Sequence, residues 1–131
     1  MKSFEAVYNE LDNLFIHRLP EYIEKINKEY NDGIILKEFS NKKLNEECLK
    51  LPGFKFLIEN AEYDEKDRII ENTIYVVSFE IQLTPDTERK IKIFWRYIEA
   101  VRQMIDETES EWLYQITGIK ENKLFIRVKD Y

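Results

Sequence analysis

The chain is poor in the residues that most often announce chemistry. It has one cysteine, Cys48, and one histidine, His17, in 131 residues. A lone cysteine closes no internal disulfide, which excludes a stapled secreted scaffold. Three glycines and three prolines are too few for a flexible linker, and no glycine belongs to a phosphate-cradling loop. No apolar run approaches the roughly 18 residues a membrane helix needs. The opening MKSFEAVYNELD turns acidic at Glu5 and lacks the apolar segment of a secretory signal, so a cytoplasmic start is expected. Basic residues are outnumbered, 20 to 26, giving a net charge of −6. That balance argues against a broad basic face for nucleic acid.

What is present is core-forming. Hydrophobic residues make up 44% and aromatics 14%, and the length suits one domain spanning 1–131. The clearest element lies between Thr73 and Asp106. Thr73, Tyr75, Val77, Phe79, Ile81 and Leu83 alternate with Ile74, Val76, Ser78, Glu80 and Gln82, the period of a strand with one buried face. Thr84-Pro85-Asp86-Thr87-Glu88 then supplies a cap, a first-turn proline and acids at the positive helix end. From Ile91 the period becomes helical and continues to about Asp106.

Upstream, Ser3 can cap a helix whose stripe is Phe4, Tyr8, Leu11, Phe15, Leu19, Ile23, Ile26 and Tyr30. Pro20 sits inside that stripe and predicts a kink or break near Arg18–Leu19. Gly33 suits a left-handed cap. Ile34–Leu36 is readable as an edge strand or an extended connection, and Ser40–Leu51 as a short helix or a loop. Phe54, Phe56 and Ile58 mark a strand, and the polar, acidic run Ala61–Arg68 reads as a connection. Trp112, Tyr114 and Ile116 mark a third strand. Leu124, Ile126 and Val128 mark a fourth, with Glu121-Asn122 at the hairpin tip. The expected fold is α+β: an antiparallel sheet of about four strands, a long amino-terminal helix and a central amphipathic helix, in the order α-β-β-α-β-β.

No catalytic constellation emerges. His17 has no partner at metal-ligand spacing, and Cys48 lies in no redox motif. The acids Glu59, Glu62, Asp64, Glu65 and Asp67 lack the glycine and spacing of a calcium loop. Asp64 with Glu80 faintly resembles the acidic pair of metal-dependent nucleases, but Gln82 stands where the lysine belongs. No serine nucleophile elbow is present, and the aromatics are not interleaved with basic residues as a nucleic-acid stacking platform requires. The reading is a non-enzyme without cofactor or metal.

The central helix carries two apolar stripes. Ile91, Phe94, Trp95, Ile98, Val101 and Ile105 form one, expected to lie on the sheet. Ile93, Tyr97, Ala100 and Met104 form another beyond a polar sector of Arg89, Lys92, Arg96, Glu99 and Gln103. This second stripe either packs on the amino-terminal helix or meets a neighbouring subunit, and it is the candidate interface.

The segments KEYNDGIIL, LPGFKFLIEN, YVVSFEIQLTPDTE and IFWRYIEAVRQMID together resemble small tail-completion proteins of long-tailed bacteriophages and prophages. These include tail terminators and neighbouring neck components. The likeness covers element order and local strings from about Leu11 to the last hairpin. It implies an α+β subunit that joins a ring, commonly of six, at the head-proximal end of the tail tube. Such a ring contacts tail-tube and head-connector proteins, and DNA passes its lumen without specific binding. The resemblance implies no catalytic residue. It places the protein in the bacterial cytoplasm and then in the virion tail, with no membrane. The alternative from composition is an acidic binding module, an immunity- or antitoxin-like inhibitor of a basic partner.

Overall fold

A computed structural model describes residues 4–46, 50–66, 69–83, 89–109 and 112–130, with the backbone alone at 63–66, 69–72 and 130. The expected Ser3 cap, the Thr84–Glu88 cap and Cys48 lie outside these residues. The elements in order are α1 (Phe4–Asp12), a π-helical turn (Asn13–Arg18), α2 (Leu19–Glu29), β1 (Gly53–Lys66), β2 (Ile69–Gln82), α3 (Lys90–Glu107), β3 (Trp112–Lys120) and β4 (Lys123–Asp130). Helices and an antiparallel four-stranded sheet make an α+β domain.

The first three helical pieces follow one another directly, so Pro20 does not interrupt the chain. Proline has no amide hydrogen and clashes with the carbonyl four residues back, and an unmodified α-helix has no room for it. Here the turn before it widens: the Leu19 N–H donates to the Leu14 carbonyl, five residues earlier. A change of helix type at Arg18–Leu19 thus marks the place where a kink or break is expected. The rod ends at Tyr30, which turns extended, and Gly33 follows with φ of 84°.

The sheet order is β1-β2-β4-β3. Its inner face carries Phe54, Phe56, Tyr75, Val77, Phe79, Ile81, Leu124, Ile126, Val128 and Trp112, all buried. Phe79 is the hub of that layer, with ring centroids 4.8 Å from both Phe15 and Phe54. The rod and α3 lie side by side and antiparallel, since Lys25 meets Glu107 while Tyr30 meets Glu99.

One expectation needs correcting, and one pair of alternatives is decided. The run Ala61–Arg68 is not a connection as far as Lys66: β1 continues through it, with Ala61 opposite Tyr75 and Glu62 opposite Ile74. Pairing uses backbone groups, so polar side chains there report a solvated strand and not a loop. Because β2 pairs with β4 only from Ile74 to Glu80, the far end of this hairpin extends past β4 as a two-stranded ribbon. Of the two readings of Ile34–Leu36, the extended connection is the one found. In it, Leu36 is buried and tied to Asn27.

Candidate functional site

α3 buries more than one stripe. Tyr97, Ala100 and Met104 are at most 2% exposed, and Phe94, Ile98, Val101 and Ile105 are buried as well. The two stripes are halves of one wide apolar arc, because α3 meets α2 and the 34–39 connection as well as the core below. Tyr97 shows this directly: its ring stacks on Phe39 at 4.6 Å, and its hydroxyl donates to the Lys37 carbonyl at 2.6 Å. Burial pushes the Tyr97 phenol above its ordinary range. Of the candidate interface residues, then, three lie inside the monomer. Only Ile93 remains partly accessible, in a groove of about 120 Å³ with Ile35, Leu51 and Leu83.

The exposed apolar residues of α3 are two that had been expected to face the sheet. Ile91 is 60% and Trp95 62% exposed. They sit one turn apart at the edge of the arc, where a helical wheel alone cannot decide between core and solvent.

A polar cluster ties this helix to the end of the rod. Arg96 is buried inside the arc, and its guanidinium forks onto the Asp32 carboxylate, with one arm at 3.0 Å and the other shorter. The same group lies 4.1 Å above the Tyr30 ring, and the Tyr30 hydroxyl donates to Glu99 at 2.8 Å. Arg96 holds the Asp32 carboxyl down at about 2, helped by the Ile34 N–H. Every charge here has a partner, and the cluster ties the chain that follows α2 to α3.

The possible chemical sites come apart. Asp64 lies opposite Asn72, eight positions along β2 from Glu80, or roughly 26 Å at about 3.3 Å per residue. The two cannot share a metal. His17 is exposed, 3.9 Å from Asp12. Among the described residues no three of His, Cys, Asp and Glu gather as metal ligands, and no helix is long and apolar enough to cross a membrane.

The outer face of the sheet is uncovered. Register aligns Lys55, Glu80, Lys123 and Lys120 in one row across the strands, and Leu57, Ser78, Phe125 and Gly118 in the next. Val76 pairs with Arg127, and Ile74 with Lys129 beside Leu113. Leu57 and Leu113 are 56% and 46% exposed, above shallow troughs of about 520 and 470 Å³. Among the described side chains, five basic residues and three acidic ones (Glu59, Glu62 and Glu80) face this side, against a chain total of −6. The sequence search missed this basic surplus because its members come from three strands at alternate positions and never form a linear cluster.

No family model, curated protein or solved structure matches the chain.

Proposed function

We propose that the chain is a non-enzymatic structural subunit of a phage or prophage tail, which joins a ring at the head-proximal end of the tail tube. The observation that carries this is the presence of separate apolar surfaces on different sides of one subunit. Ile91 and Trp95 stand out from the helical layer, and Leu57 and Leu113 from the open sheet. A ring joined head to tail needs two unlike sticky surfaces on each copy. The stripe first considered for that role is largely core, so the assembly surfaces are assigned to these exposed groups, with Ile93 at the neighbouring groove. The resemblance to tail-completion proteins supplies the setting, and the net charge of −6 suits a lumen that a polyanion slides through.

The test is to add the purified chain to a polymerising phage tail-tube protein. Tubes should stop growing and carry a density at one end. Unchanged tube length, together with salt-sensitive one-to-one capture of a basic protein, would replace this reading with the acidic-inhibitor alternative.

A further inference from the structure

Residues 31–46, which follow α2, form a strap fastened almost entirely by side chains. Among the described residues, no backbone–backbone hydrogen bond joins the strap to a helix or strand. Its own bonds of that kind run from Glu46 to Lys43 and from Ser40 to Pro52, just ahead of β1. The described hydrogen bonds to the rest of the fold all use a side chain. From α3, the Arg96 guanidinium holds Asp32 and the Tyr97 hydroxyl holds the Lys37 carbonyl. Asn27 of α2 brackets Leu36, and Asn41 brackets Phe54 of β1. The Leu44 N–H donates to the Asp12 carboxylate of α1 at 3.2 Å.

Packing is equally sparse. Of the sixteen strap residues only Leu36, Asn41 and Leu44 are buried, and Phe39 is half-buried against the rings of Phe54, Phe79 and Tyr97. The body beneath is held differently. β2 is laddered on both sides, by β1 and β4, and the rod and α3 keep their own helical bonds. Breaking a ladder disturbs the backbone of both partners, whereas a side-chain tether lets go and its groups turn to water. Segments with few buried apolar contacts open at lower free energy than the core. Gly33, at φ of 84° with open space around it, supplies a joint at the α2 end.

We propose that the strap is a conformational device: residues 31–46 lift as one unit while helices and sheet stay folded. Lifting withdraws Phe39 and uncovers the rings of Phe54, Phe79 and Tyr97 beneath it. The subunit thus keeps an aromatic surface in reserve, hidden while the strap is closed. The device belongs to one copy and needs neither a ring nor a tail tube.

The test is native-state hydrogen exchange of the full chain, followed by NMR in low urea at a concentration where it is monomeric. The amides of Leu36 and Leu44 are the reporters, because their acceptors are the side chains of Asn27 on α2 and Asp12 on α1. They should share one opening constant, about tenfold or more above that of the slowest β2–β4 ladder amides, with a urea slope well below the global one. Tyr97→Phe removes one tether, bonded to neither reporter, and should speed both amides by the same factor, about fivefold. Val128→Ala, in β4, should speed the ladder amides about tenfold or more and leave both reporters unchanged. Reporters that exchange with the global urea slope overturn the device, since the strap then opens only with the core. Unequal opening constants, or a Tyr97→Phe response at Leu36 alone, overturn it as well, because the two ends then fray separately. Reporters without measurable protection overturn the closed state itself. The wild-type urea series gives its answer even if Val128→Ala fails to fold.

Discussion

Asn27 pairs with Leu36 as a neighbouring strand would. Its Nδ2 donates to the Leu36 carbonyl at 2.9 Å, and its Oδ1 accepts from the Leu36 N–H at 2.7 Å. Asn41 repeats the arrangement on Phe54, at 3.0 and 2.9 Å. The first amide satisfies the backbone at Leu36, in a connection that has no ladder of its own, and the second ties that connection to the backbone of β1 at Phe54. Asn27→Ala strands a donor and an acceptor beside a Leu36 that is 4% exposed. The expected loss is about 2–3 kcal/mol, since each unsatisfied buried group costs about 1–3. It reads as a lower urea midpoint at unchanged slope, and a loss under ~0.5 kcal/mol would show the clamp to be incidental.

Phe79 is fully buried and touches rings from the rod, the 34–39 connection and β1. Phe79→Ala should cost about 3–5 kcal/mol by removing burial and leaving a cavity. Phe79→Leu conserves most of the volume and should cost distinctly less. Equal losses for the two, in parallel denaturation curves, would mean the site collapses freely and Phe79 is not a hub.

The Asp32–Arg96 pair predicts a specific acid response. The carboxyl sits at about 2 in the folded chain, below its ordinary value near 3.8. A depressed carboxyl contributes stability above the unfolded value and loses it as pH falls through the folded one. The contribution is therefore complete above about pH 4 and gone by about pH 2. Asp32→Asn removes it at all pH values. The gap in urea midpoint between wild type and Asp32→Asn should narrow from pH 5 to pH 2.5, and a gap independent of pH would show that the pairing energy does not come from the ionised carboxylate.

These features mark where the sequence could and could not be read. The alternation of Thr73–Ile81 identifies β2 because one buried face imposes a period of two, and the change to a helical period at Ile91 identifies α3. The polar end of β1 was misread because backbone pairing leaves no trace in side-chain polarity. Nothing in the sequence separates Asn27 and Asn41 from asparagines that cap turns, since their role depends on residues nine and thirteen positions away. A helical wheel orders residues around α3 but does not say how many neighbours the helix has. With the core, α2 and a connection all against it, the buried arc widened past both predicted stripes and left Ile91 and Trp95 outside.

That last distinction yields a sharp contrast between two apolar side chains nine residues apart on α3. Met104 is 0% exposed and Trp95 62%. Met104→Asp places a carboxylate in the core with no cation provided for it, and should cost roughly 3–5 kcal/mol or unfold the chain. Trp95→Glu alters only a solvent-facing position and should keep stability within about 0.5 kcal/mol. If the original assignment of the Ile93–Met104 side as an interface were right, Met104→Asp would leave an isolated copy intact and disturb only association. Thermal denaturation at a concentration where wild type is monomeric separates the cases, because interface contacts contribute nothing there. A cooperative, unshifted transition for Met104→Asp would return that side of α3 to the surface and require a different packing of the two helices.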